Sequence, residues 1–188
     1  MKGYLSITIG PMFSGKTTSL IKTYKSFEKT EKINVVINYA YDTRYSETML
    51  SSHDLEMIPC IMVKTLGQLY TNENNNLINE ADNIFINEAQ FFPDLYDFVL
   101  EMIQRNKNVY LYGLDGDYTT NKIGSILDLI PKCNEIVKLN AICEVCKENA
   151  IFTHRKTNET EQIVIGNDNY IPLCRSCYYI ETNKKMLS

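Results

Sequence analysis

No stretch of this sequence approaches the ~20 consecutive apolar residues that a membrane-spanning helix requires, so a bilayer-embedded protein is not expected. The opening Met1-Lys2-Gly3-Tyr4 lacks a short apolar segment followed by a small-residue cleavage site. That argues against secretion and for the cytoplasm. Arginine is scarce: Arg44, Arg105, Arg155 and Arg175 are all there is, and the formal net charge is −4. A protein that coats nucleic acid needs a basic field, so nucleic acid is not an expected partner. Wholesale disorder is excluded too, because 44% hydrophobic and 22% charged residues match globular averages. A length of 188 residues suits one domain, or one domain with a small appendage.

What is present is an alternation. Apolar runs of strand length fall at residues 4–9, 33–39, 83–87, 108–112 and 135–139. Helical spacing of apolar residues marks 17–29 and 93–106, and a short helix over 123–130 is ended by Pro131. Short apolar strands alternating with amphipathic helices predict an α/β fold with a mostly parallel sheet covered on both faces. Residues 42–54 read as a polar loop, and the Asn-rich 71–76 as a solvated loop or a helix entry. The character changes near Asn140, which divides a nucleotide-binding domain (1–140) from a small C-terminal subdomain (141–188).

Gly10-Pro11-Met12-Phe13-Ser14-Gly15-Lys16-Thr17 matches G-x-x-x-x-G-K-[ST], with an apolar strand before it and an amphipathic helix after it. Glycines let successive N–H groups turn inward onto phosphate oxygens, and the helix N-terminus adds positive charge at that place. Lys16 is expected to reach the outer phosphates, and the Thr17 hydroxyl to hold Mg²⁺. The chain is therefore expected to bind a nucleoside triphosphate.

In such folds ligands sit beyond the carboxyl ends of the strands. After the third apolar run come Asn87-Glu88-Ala89-Gln90-Phe91-Phe92. Asn87 stands where a P-loop enzyme usually has a magnesium-holding Asp, so it brings no charge. Glu88 is the candidate to take a proton from an attacking hydroxyl. Gln90, Phe91 and Phe92 read either as packing residues or as a clamp on a base. Asp115-Gly116 reads as a turn or as a site element at the next strand end. Asp42 and Arg44 belong to a solvated loop or to a lid over phosphates.

Six cysteines remain. Cys143-x-x-Cys146 and Cys174-x-x-Cys177 are separated by 27 residues. Four thiolates so spaced can close a tetrahedron around a structural Zn²⁺, with redox pairs as the alternative. Cys60 and Cys133 read as core residues, and His53 and His154 as surface residues.

The P-loop, the D-T-R-Y loop starting at Asp42, the E-x-Q-F-F turn starting at Glu88, the L-D-G turn starting at Leu114 and the cysteine pairs occur in one order. Together they resemble the type II thymidine kinases, the form found in cell cytosol, many bacteria and poxviruses. The resemblance spans about residues 3–178. It implies a P-loop α/β fold with a zinc-ribbon subdomain and a lasso loop. It also implies transfer of the γ-phosphoryl of ATP to the 5′-hydroxyl of thymidine. By position, residues 10–17 form the phosphate loop, Glu88 is the general base, and Asp42, Arg44 and Asn87 join the magnesium and phosphate network. Met12, Leu114 and Tyr118 line the base pocket, with Gln90 and Phe91 beside the nucleoside. Thr153, Val164, Asp168 and Tyr170 match contacting positions of the lasso.

The resemblance further implies a homotetramer inhibited by thymidine triphosphate. The family typically has Asp at position 87, so magnesium is expected to bind more weakly or to lean on Asp42 and Thr17. It has Phe at position 118, often Gly at position 89, and often a basic, Phe-containing stretch where residues 117–123 stand. The lasso is one residue shorter near Gly166-Asn167. The competing classes are an ATPase whose zinc ribbon grips a nucleic acid or a protein, and a nucleotide-binding protein without transfer activity.

Overall fold

In the computed structural model of the chain, residues 3–40, 48–51, 56–71, 73–164, 166 and 168–187 are described. In chain order the first part runs β1 (Tyr4–Ile9), α1 (Lys16–Phe27), β2 (Asn34–Tyr39), β3 (Met49–Ser51), β4 (Met57–Pro59) and β5 (Ile61–Val63). It continues with α2 (Glu73–Glu80), β6 (Asn83–Ile86), α3 (Leu95–Gln104), β7 (Asn108–Gly113) and β8 (Glu135–Lys138). The last part holds β9 (Ala141–Ile142), β10 (Asn149–Ala150), β11 (Phe152–Arg155), β12 (Tyr170–Leu173) and α4 (Arg175–Leu187). One six-stranded sheet in the order β5-β2-β6-β7-β1-β8 carries the fold, and all its pairings are parallel.

The inner strands are mostly apolar and buried because both faces are covered, with Ser6, Thr8 and Asn38 as buried polar exceptions. Alternate residues go to opposite sides. Val35, Ile37, Ile84, Ile86 and Leu111 join α3 residues Leu95, Phe98, Val99 and Met102 in one buried cluster. Val36, Phe85 and Tyr112 join α1 residues Leu20 and Ile21 in the other. Each such buried side chain contributes about 1.5–3 kcal/mol. Three strands open on Asn, and their amides link sideways: Asn83 Nδ2 donates to Asn34 Oδ1 (2.7 Å) and Asn108 Nδ2 to Asn83 Oδ1 (2.8 Å). These bonds satisfy the amides and tie the register at the end of the sheet opposite the strands' carboxyl ends.

Several sequence expectations change. β3 falls inside the segment read as a loop and pairs antiparallel with β4. β5 is an unforeseen member of the main sheet. Three-residue strands carry too little pattern to be read. Leu50 and Ile58 nonetheless bury against the α1 side, which holds the β3–β4 hairpin in place. The Asn-rich segment enters α2, whose Ile78 is fully buried. Pro131 lies inside a 3-10 helix (Ile126–Lys132) rather than ending a helix before it. His154 is buried, with the Tyr178 ring edge-on at 5.8 Å, not on the surface. Cys60 and Cys133 lie at the core margin, half-buried. No helix among the described residues is long and apolar enough to cross a membrane.

The residues after Asn140 have an apolar cluster of their own, built from Ala141, Cys143, Ala150, Leu173, Cys177 and Tyr178. β9–β10 and β11–β12 are two small antiparallel hairpins. Thr153 on β11 reaches back to the loop after β1, accepting a hydrogen bond from the Met12 N–H at 2.9 Å.

Candidate active site

The loop between β1 and α1 closes where the sequence motif places it. Gly15 sits at φ 80°, ψ 21°, a left-handed conformation that glycine adopts at no steric cost. Gly10 has a different reason: a Cβ there would lie 2.5 Å from the Leu139 carbonyl oxygen. The Lys16 ammonium is held by the carbonyls of Pro11 (2.6 Å) and Gly10 (3.2 Å) and by Ser14 Oγ (3.4 Å). Met12, Phe13, Ser14, Gly15, Lys16 and Thr17 all face one cavity of about 290 Å³. Gly10 and Pro11 lie behind that wall and act through their carbonyls.

Glu88 follows β6 and lines the same cavity. Its backbone is left-handed (φ 51°, ψ 39°), which costs a non-glycine residue roughly 1–2 kcal/mol. Strain of this kind persists where the surroundings over-determine a geometry, often at active sites. Gln90 supplies part of that determination. Its Nε2 donates to Glu88 Oε2 at 2.7 Å, and its Oε1 accepts from the Leu114 N–H at 2.9 Å. Only the amide oxygen can take the backbone donor, so the NH₂ must face the carboxylate. Gln90 is therefore buried behind Glu88 and not on the cavity wall. Asn87 is likewise buried off the wall, its Nδ2 donating to Asn38 Oδ1 at 2.9 Å.

The same cavity is also lined by Phe91, Leu114, Tyr118, Thr153, Val164 and Tyr170, with Thr153 hydrogen-bonded to the Met12 N–H of the loop. Asp168 is exposed and is not among the lining residues. Asp42 and Arg44 lie outside the described residues. Sequence reasoning missed Tyr39, Asp117 and Gln162, which also line the cavity. Tyr39 ends β2 and packs on the Phe91 ring at 5.3 Å; its place at a strand end was the available signal. Asp117 collects Thr119 N and Oγ1 and Asn121 N on Oδ1 (2.7–2.9 Å), and Gln162 Nε2 on Oδ2 at 2.8 Å. Burial alone raises its pKa, but these hydrogen bonds outweigh it and hold the carboxyl below its ordinary value. Asp115 pairs with Lys138 (2.7 Å) and stays off the cavity wall, as a turn residue does.

The four cysteine sulfurs lie within 4.8 Å of one another, and the Sγ atoms of Cys146 and Cys174 are 3.5 Å apart. A disulfide would need about 2.05 Å. Tetrahedral Zn²⁺ with bonds of about 2.3 Å sets its sulfurs ~3.8 Å apart, so the donor set fits zinc in number, type and spread. Burial raises the Cys143 thiol, but backbone N–H groups of Cys146, Cys174 and Val145 bring it down to about 6. Burial and the neighbouring thiols push Cys177 up to about 12. A dication between four thiolates offsets their mutual repulsion.

A family model described as thymidine kinase matches residues 3–178. The thymidine kinase of Oryza sativa subsp. japonica is 41% identical over 179 residues, covering 94% of this chain and 66% of that protein. That of Yaba monkey tumor virus (strain VR587) is 38% identical over 178 residues, 94% of this chain and 95% of its own. The cytosolic thymidine kinase of Homo sapiens is 36% identical over 182 residues, 95% of this chain and 74% of its own. With the family match spanning nearly the whole chain, over a P-loop cavity walled by Glu88 and a four-cysteine cluster, the chain belongs to the thymidine kinase family.

Proposed function

We propose that the chain transfers the γ-phosphoryl group of ATP to the 5′-hydroxyl of thymidine, giving thymidine monophosphate and ADP in the salvage of pyrimidine deoxynucleosides. The observation that carries this reading is that the P-loop and Glu88 line one cavity together with the aromatic and apolar side chains of Tyr39, Phe91, Leu114, Tyr118, Val164 and Tyr170. Loop N–H groups and Lys16 bind the phosphates. Glu88 takes the hydroxyl proton as the oxygen attacks the γ-phosphorus in line. Gln90 keeps the carboxylate aimed. Phe91, Leu114, Tyr118, Thr153, Val164 and Tyr170 hold the nucleoside and exclude water.

The Thr17 hydroxyl, with Asp42 and Arg44, is the group we assign to Mg²⁺ and the phosphates; the ion supplies positive charge beside them. Asn87, hydrogen-bonded to Asn38, and the exposed Asp168 remain in the proposal by position in the sequence. Cys143, Cys146, Cys174 and Cys177 would hold Zn²⁺, whose chemistry there is structural because four sulfurs fill its coordination. The division of the chain at Asn140 is part of the same reading, supported by the separate apolar cluster of residues 141–178.

Inhibition by thymidine triphosphate, a cytoplasmic location and a homotetramer complete the proposal. The exposed edge strand β8, with Ile136 and Val137 outward, supports assembly. Native mass spectrometry is expected to give four chain masses.

The test is an assay with ATP and Mg²⁺ against thymidine, deoxyuridine, deoxycytidine and deoxyadenosine, reading labelled monophosphate. Thymidine is expected to react well above the rest. Folded, zinc-loaded protein that phosphorylates no nucleoside would sink the reading.

A further inference from the structure

Arg155 closes β11 and is 1% exposed. An arginine has five N–H donors in a rigid plane, and here every one meets an oxygen. Nε donates to Tyr170 Oη (3.2 Å). Nη1 donates to the carbonyls of Glu159 (2.9 Å) and Glu161 (2.5 Å). Nη2 donates to the Gln162 carbonyl (3.2 Å) and to Tyr170 Oη (2.7 Å). Tyr170 Oη passes the chain on, donating to the Val164 carbonyl at 2.9 Å. The guanidinium also lies 3.7 Å from the centroid of the Tyr118 ring, and Tyr118 Oη donates to the Thr160 carbonyl at 3.0 Å.

Residues 159–164 form no helix or strand. Their backbone carbonyls must still find donors where they are buried. A single buried cation supplies those donors and lays the loop around its plane. The residues it shapes belong to the cavity: Tyr118, Gln162, Ile163, Val164 and Tyr170 line it, whereas Arg155 does not.

We propose that Arg155 is a positioning residue for the nucleoside. Without touching substrate it fixes residues 159–164 against Tyr118, and so sets the affinity and selectivity of the cavity for the base. The role depends on the planar five-donor shape, because lysine offers three donors and no flat face. This inference rests on the reading of the cavity as a nucleoside site.

Arg155→Lys, which keeps the charge, is the primary test. Losing several charge-assisted hydrogen bonds is expected to raise the KM for thymidine roughly 10- to 100-fold. The KM for ATP and kcat at saturating thymidine should stay within about threefold, since the five bonds above go to Tyr170 and to residues 159–162, and not to the P-loop or Glu88. The preference for thymidine over deoxycytidine should shrink as well. A variant that melts earlier but keeps the wild-type ratio of the two KM values and its preference would overturn the proposal. If Arg155→Lys does not fold, Tyr170→Phe removes only the hydroxyl that receives two of the five bonds. It is expected to move the thymidine KM in the same direction by a smaller factor, and an unchanged value would again overturn the role.

Hydrogen exchange separates this inference from the enzymatic one. If the wild type phosphorylates no nucleoside, the site reading fails on its own. Faster exchange confined to residues 159–164 in Arg155→Lys would then still support the positioning role, and unchanged exchange would sink it.

Discussion

Glu88 is the residue on which the proposed chemistry and local strain converge. Its left-handed backbone aims the carboxylate into the cavity, and Gln90 holds the carboxylate from behind. Glu88→Gln keeps an acceptor for the Gln90 amide but cannot accept a proton. Turnover is expected to fall roughly 10²–10⁴-fold, with the fold intact. Near-normal single-turnover rates in that variant would remove Glu88 from the base role. The residue pattern around it made Glu88 legible, because a carboxylate just past an apolar strand is a local signal. The task of Gln90 was not legible, because its partners are Glu88 and the Leu114 N–H just past β7, 24 positions away.

At the scale of elements, the turn after β7 and the loop before β12 are locked by Asp117. Oδ1 accepts three donors within its own turn, and Oδ2 accepts Gln162 from the loop. Its folded pKa is depressed below its unfolded value. The sign follows from linkage: the stabilisation is fully present above the unfolded carboxylate value of about 3.9 and is lost as pH falls through the lower folded value. Asp117→Asn offers one acceptor oxygen to those donors. The wild type is therefore expected to outlast the variant at neutral pH, with the gap closing below pH ~4. Chemical denaturation at a series of pH values reads this directly, and a gap independent of pH would contradict it. The P-loop and α1 are legible at this scale because one contiguous segment holds the glycines, the lysine and the helix start. β3, β4 and β5 are not, since three residues carry no period and their burial is set by neighbours from elsewhere in the chain.

For the whole molecule, the cysteine cluster matters through what it supports. The residues around it carry Thr153, which binds the loop after β1 at Met12, and the β11–β12 pair that flanks residues 156–169. Metal analysis is expected to give one zinc per chain. Stripping it with a strong chelator is expected to lower the melting temperature and to weaken thymidine binding more than ATP binding, both measurable by calorimetry. Thymidine affinity unchanged in metal-free protein would separate the cysteines from the site.

The sequence by itself determined the alternating α/β architecture, the candidate phosphate loop, the base candidate and the four-cysteine cluster. Each of these is written in a short contiguous segment or a fixed spacing, where local sterics and ligand chemistry leave few alternatives. Tertiary structure alone decided that Tyr39 faces the cavity, that Asn87 spends its amide on Asn38, and that a buried Arg155 gathers the carbonyls of Glu159, Glu161 and Gln162. Those assignments depend on which distant donors and acceptors must satisfy one another once water is excluded, and no stretch of chain carries that information alone.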